Sequence, residues 1–155
     1  MAIASVNEKW MRYALTIAAK AEAMGEVPVG AIVVLDSEII GEGWNQPIAG
    51  CDPTAHAEML ALRQAAGKVN NYRLLKASLY VTLEPCAMCA GAMIQARVQK
   101  VVFGAYDPRA GALGSVFNIF QNKHLNHKID FIGGILSEEC GLMLRKFFEA
   151  RRQKS

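Results

Sequence analysis

Leu79-Tyr80-Val81-Thr82-Leu83-Glu84-Pro85-Cys86-Ala87-Met88-Cys89 passes from a strand into the start of a helix. Leu79 to Leu83 is an apolar run of strand-forming residues. Pro85 suits a first helical turn, where its missing N–H costs nothing, and the helix it opens runs to about Ala96. Upstream, Thr54 to about Gly67 reads as a helix, with Asp52, Pro53 and Thr54 as start signals. Downstream, Val101 to Gly104 reads as a strand. Helix, strand, helix, strand in that order predicts a sheet with parallel pairs and helices on both faces. Val29 to Leu35 is a continuous apolar run that fits a strand buried on both faces. Asp36-Ser37 is a turn, and Glu38 to Trp44 returns antiparallel, so the α/β sheet is mixed. Asn7 to about Met24 forms the first helix, with Trp10, Ala14, Ile17, Ala21 and Met24 as its apolar stripe. Residues 105–127 are irregular, with a short helix near Phe117; Lys128 to Ile132 is a fifth strand, and the last helix spans about Ser137 to Arg152.

The chain has 155 residues, 52% hydrophobic and 20% charged. That balance fits one globular domain over residues 1–155 and excludes an intrinsically disordered chain. A net charge of +3 permits a nucleic-acid partner without requiring one. No stretch reaches the roughly 18 apolar residues of a membrane span. Met1 to Trp10 lacks the basic-then-apolar order of a secretory leader. The expected compartment is the cytoplasm, where four cysteines point to thiols or metal ligands rather than a disulfide framework.

Two motifs carry the chemistry. His56-Ala57-Glu58 stands in the opening turn of one helix and Pro85-Cys86-Ala87-Met88-Cys89 at the start of the next. The strand between them can bring both helix starts to one edge of the sheet. Cys86 and Cys89, three apart, face one side of a helix, and the N-terminal amides favour their thiolates. With His56 they make a one-nitrogen, two-sulfur set that zinc accepts, one ion per subunit. Three protein ligands leave a tetrahedral position open, and a water there is acidified into a nucleophile. Glu58 is two residues from His56, about 200° away on a helix interior, but in a first turn both reach past the helix end. It then serves as a proton shuttle rather than a ligand. A redox pair is the other use of Cys-x-x-Cys after a strand, and it leaves His-x-Glu unexplained. A structural zinc knuckle wants a second such pair, which is absent; His124 and His127 lie in a polar stretch. Cys51, five residues before His56, is expected to be a free thiol, and Cys140 to be core. Glu84 either supports the metal site or caps the helix.

His-x-Glu followed by Pro-Cys-x-x-Cys is the signature of zinc-dependent nucleobase deaminases. The flanking sequence is more specific. Glu26-Val27-Pro28-Val29-Gly30-Ala31, Gly41-Glu42-Gly43-Trp44-Asn45, Asp52-Pro53-Thr54-Ala55-His56-Ala57-Glu58, Asn71-Tyr72-Arg73-Leu74, Val101-Val102-Phe103-Gly104-Ala105 and Phe147-Phe148 with Arg151-Arg152 closely resemble the bacterial tRNA-specific adenosine deaminases over nearly the whole chain. That resemblance implies a three-layer α/β/α cytidine deaminase-like fold around a central five-stranded mixed sheet, and a homodimer. It implies conversion of the wobble adenosine of a tRNA anticodon to inosine. It also implies that Asn45 hydrogen-bonds the nucleoside and that Asp107 lies near the substrate backbone. Each has a plainer role too: Asn45 as a turn cap after a strand, Asp107 as a cap beside Pro108.

An adenine within a duplex is out of reach of such a site, whereas an anticodon stem-loop presents it unpaired. The last helix carries Arg145, Lys146, Arg151, Arg152 and Lys154 beside Phe147 and Phe148. Arginine on phosphate and aromatic on base is the usual equipment for single strands, so Phe148, Arg151 and Arg152 are candidate RNA contacts. Cations at a helix C-terminus also complement its dipole, and either Phe also suits the core. Two rival readings stand beside this one. One is a deaminase of free purines of the guanine type. The other is a non-catalytic RNA-binding protein with structural zinc, against which Glu58 and the open fourth position speak.

Overall fold

Asp36 and Ser37 both take left-handed backbone, with φ of 51° and 62°. A two-residue hairpin needs that conformation, so β1 (Gly30–Leu35) turns straight back as β2 (Glu38–Trp44). The computed structural model describes residues 3–154; Met1, Ala2 and Ser155, part of the leader and tail readings, lie outside the described residues. Around the hairpin stand α1 (Ile3–Ala23), α2 (Ala57–Val69), β3 (Ser78–Leu83), α3 (Ala87–Ala96), β4 (Lys100–Ala105), a short 3-10 turn (Ile119–Gln121), β5 (Asp130–Ile132) and α4 (Ser137–Lys154).

The sheet order is β2-β1-β3-β4-β5. β1 is antiparallel to both β2 and β3, while β3–β4 and β4–β5 are parallel. It follows that β2, β3, β4 and β5 all run the same way. Trp44, Leu83 and Ala105 therefore end their strands at one edge, the place where open α/β sheets present ligands. Alternation along the strands divides the core. Ala31, Val33, Leu79, Val81, Val101 and Phe103 face α2 and α3. Ile32, Val34, Tyr80 and Val102 face α1, with Met11, Ala14 and Ile17, and Cys140 of α4. This is the expected three-layer α/β/α arrangement around a five-stranded mixed sheet.

Two helix starts differ from the sequence expectation. Asp52 accepts hydrogen bonds from the Thr54 N–H (2.8 Å) and hydroxyl (2.7 Å), closing a turn of its own. The helix therefore begins at Ala57 rather than Thr54, with His56 extended before it at φ −75°, ψ 153°. Likewise Cys86 precedes α3 in extended backbone, φ −79°, ψ 176°. On α1 the buried stripe is Met11, Ala14, Ile17, Ala18 and Ala21, and Met24 lies beyond the helix, where its sulfur receives the Trp44 indole N–H.

The helix that carries Glu58 rests directly on glycine. A Cβ on Gly43 would stand 2.3 Å from the Ala57 carbonyl oxygen, and one on Gly41 2.3 Å from that of Ala61. Backbone cannot yield as a side chain can. Gly43→Ala is expected to displace the first turn of α2 and reduce zinc retention at least about tenfold, as loss of ligand support does elsewhere. Zinc per chain after dialysis reads this; full retention would show that α2 shifts freely.

Candidate active site

The sheet edge just described gathers most of the residues named from the sequence. β2 ends in Trp44 and is followed by Asn45; β3 leads through Glu84 and Pro85 to Cys86; β4 leads to Tyr106 and Asp107. His56 and Cys86 are the extended residues before α2 and α3, and Cys89 lies in the first turn of α3. His56 Nδ1 is 3.6 Å from Cys86 Sγ and 3.5 Å from Cys89 Sγ. A tetrahedral zinc with bonds of about 2.3 Å to sulfur and about 2.0–2.1 Å to nitrogen would set these atoms about 3.6 Å apart. The two nitrogen–sulfur separations thus already match edges of a zinc tetrahedron, with all three donors within 4.8 Å of one another. These donors are the one such group of ligand atoms among the described residues, and neither Glu58 nor Cys51 belongs to it. Cys51 is exposed and Cys140 buried, both as free thiols.

Electrostatics agree with this geometry. The Cys86 thiol is pulled down to about 4, first by its hydrogen bond with Cys89 and then by His56. The His56 imidazole is raised, chiefly by Cys86. The Cys89 thiol is pushed up by Cys86, by burial and by the nearby Glu58 charge. A divalent ion displaces the protons that such donors otherwise share. Glu58, in the first turn of α2, is buried with 4% of its surface exposed. Burial pushes its carboxyl up to about 7, against the lowering pull of its own backbone amide and of His56. A buried carboxyl beside the donor cluster but outside it is placed to take and give protons.

Asn45 Oδ1 accepts the Ala57 N–H at 2.8 Å. The bond reaches the first amide of α2 rather than closing a turn after the strand, and it leaves Nδ2 as the amide's donor. Asp107 also caps: its Oδ1 accepts the N–H groups of Arg109 (3.0 Å) and Ala110 (3.3 Å). Together with Val27, Leu83, Tyr106, Phe148 and Arg152 it lines a cavity of about 760 Å³ at this end of the sheet. Phe148 is 43% exposed, whereas Phe147 is buried. Arg151 stands apart from that cavity. Its guanidinium donates to the Gly25 carbonyl oxygen and lies 4.9 Å from the Phe147 ring centroid, so it ties the end of α4 to the turn before β1.

Two features were not read from the sequence, and a third, Glu84, was read only as support for the metal site or as a helix cap. Glu26 is buried and accepts the Ile48 (3.2 Å) and Ala49 (2.7 Å) N–H groups, which shapes the loop between Asn45 and His56. Tyr106 presents an exposed ring, edge-on to Phe103 at 5.1 Å. Glu84 does not cap α3; its side chain turns to the segment that follows β4. It accepts the N–H groups of Asp107, Leu113 and Ser115 and the Ser115 hydroxyl. Burial opposes the charge on Glu84, but these hydrogen bonds win and hold its carboxyl below the usual range. A carboxylate directly before Pro-Cys was the available signal for Glu84.

Residues 4–105 match the cytidine and deoxycytidylate deaminase zinc-binding region. The tRNA-specific adenosine deaminase of Haemophilus influenzae is 54% identical over 149 residues, which cover 96% of this chain and 86% of that protein. A solved structure from work on A-to-I editing by tRNA:A34 deaminases at the wobble position superposes with a TM-score of 0.83 at 40% identity, over 86% of this chain and 97% of that one. A guanine deaminase from Nitrosomonas europaea superposes with a TM-score of 0.74 at 27% identity, over 90% and 83% of the two chains. A zinc-spaced donor triangle, a buried carboxyl beside it and likeness along nearly the full length place the chain in the zinc-binding cytidine and deoxycytidylate deaminase family and, within it, among the tRNA-specific adenosine deaminases.

Proposed function

We propose that this protein hydrolyses the 6-amino group of the wobble adenosine in a tRNA anticodon stem-loop, giving inosine and ammonia. His56, Cys86 and Cys89 hold one zinc ion per subunit. When bound there, the metal would acidify the attacking water. Glu58 is placed to accept a proton from the attacking water, return one to a ring nitrogen and assist the amine as it leaves as ammonia. The Asn45 amide N–H group, aimed by its bond to Ala57, donates to the bound nucleoside. Asp107, Phe148 and Arg152 meet the flanking RNA in the cavity they share. Arg151 serves them by holding α4 in place. The observation that carries this reading is the whole-length likeness to the Haemophilus influenzae enzyme, because the zinc motif alone suits many substrates. A homodimer, one domain over residues 1–155 and a cytoplasmic location belong to the same reading. Among the described residues no helix is long and apolar enough to cross a membrane.

Remote contacts on a large substrate are spent in positioning its reacting base. A short anticodon stem-loop with adenosine at the wobble position is therefore expected to exceed free adenosine in kcat/KM by at least about a hundredfold. Inosine release, measured on the stem-loop, free adenosine and free guanine, checks this. Comparable turnover of free adenosine or guanine would move the protein to the small-molecule deaminases.

A further inference from the structure

We propose that Glu84 is a positioning residue, which fastens one wall of the cavity that Asp107, Phe148 and Arg152 share to the strand end that delivers Cys86. This rests on the RNA-deaminase reading given above. Residues 106–110 form one continuous side of the cavity. The segment from 106 to 115 has no strand or helix of its own to hold it, beyond an isolated bridge at Leu113. Ala112 and Leu113 bury in the core, and most of the segment's hydrogen bonds back to the sheet go to one carboxylate. Glu84 Oε1 accepts the Asp107 N–H at 3.0 Å and the Ser115 hydroxyl, and Oε2 accepts the Leu113 (3.0 Å) and Ser115 (3.1 Å) N–H groups. The backbone on either side adds to this: Glu84 N–H donates to Ala105 O at 2.8 Å, and Ala112 N–H donates to Pro85 O at 2.8 Å.

The packing is made for this role. A Cβ on Gly111 would stand 2.3 Å from the Glu84 carboxyl carbon, so only glycine lets the segment fold over it. Glu84 is 2% exposed, and among the described residues it has no salt-bridge partner. Its charge is met by oriented N–H and O–H dipoles alone, an arrangement that is strong when complete and costly when one oxygen is lost. Glu84 therefore holds both ends of the segment at once, one at Asp107 and one at Leu113 to Ser115. Its Cα lies two residues before Cys86, so cavity wall and metal ligand share one support.

Glu84→Gln tests this in the zinc-loaded protein. Glutamine offers one carbonyl oxygen where glutamate offers two, so at least one N–H group loses its acceptor. The expected result has three parts. Zinc per chain is unchanged. Amide hydrogen exchange at Asp107, Leu113 or Ser115 quickens at least about tenfold, with α2 and α3 unaffected. KM for the wobble-adenosine stem-loop rises about tenfold with kcat within about twofold, the pattern of lost uniform binding. Unchanged exchange at these amides, unchanged KM, or zinc loss with unchanged KM would each overturn the proposal. Should Glu84→Gln not fold, Ser115→Ala removes one O–H donor without orphaning an amide, and about a threefold rise in KM is expected; no rise would overturn it. If the unaltered protein fails to turn over the stem-loop, the RNA reading falls, and the exchange measurement still decides whether Glu84 anchors the segment.

Discussion

Glu58→Gln is expected to keep its full zinc content and to lose about 10²–10⁴ in kcat, at the upper end of that range or beyond it, because one carboxyl handles several protons. The retention follows from geometry: His56, Cys86 and Cys89 gather within 4.8 Å, and Glu58 is not of their number. The loss follows from chemistry, since an amide neither accepts nor releases a proton near neutrality. Glutamine matches glutamate in shape, and burial already disfavours the charged form at this position. Thermal stability is thus expected to be held. Zinc per chain by atomic spectroscopy and single-turnover deamination of the stem-loop separate the two effects. Zinc loss in this variant would make Glu58 a ligand and overturn its assignment as the proton carrier.

Cys86→Ala and Cys89→Ala are expected to behave quite differently. Each leaves two protein ligands, and zinc affinity should fall by more than about 100-fold, beyond the range found for partners that merely orient a ligand. Activity should fall below detection, and a chelator should abolish it in the unaltered protein as well. Because metal binding is coupled to folding, melting temperature should fall with zinc; Cys89, wholly buried against the core, should show the larger drop. Cys51→Ser provides the control. Its thiol is exposed, its nearest polar contact is the Ile48 carbonyl at 3.8 Å, and it lies outside the donor cluster. Equal zinc release from Cys51→Ser and Cys86→Ala would end the three-ligand assignment.

The element order and the ligand identities were legible in the sequence because each rests on local pattern. The hairpin shows why: Glu38 to Trp44 follows the tight turn at Asp36-Ser37 after an apolar strand, and β2 spans those residues. The mixed sheet and the two helical layers follow from the same order. Strand order was beyond reach, because placing β1 between β2 and β3 depends on pairings across the chain, such as Ala31 with Val81. The position of His56 was misread by one local detail. Asp52 spends its side chain on Thr54, so the helix starts late and His56 is extended. That shift removes the angular conflict between His56 and Glu58, since the two no longer share a helix interior. Arg151 illustrates a different limit. Nothing local distinguishes an arginine aimed at RNA from one aimed at the carbonyl of Gly25, 126 positions earlier in the chain. At Asn45 and Asp107 the structural bond uses one oxygen and leaves the rest of each side chain available for binding.

The glycines under α2 bear on how this enzyme could be altered. Catalytic constellations work only when their parts are held to about 0.5 Å, and here the spacing is set by atoms that are missing. Gly41 and Gly43 act as a gauge block of zero thickness on which Ala57 and Ala61 rest. Neither glycine carries a functional group, and neither would attract notice in a search for reactive side chains. Yet the seat of His56 and Glu58 is machined to them. Engineering that touches the floor beneath α2 changes the calibration of the whole instrument.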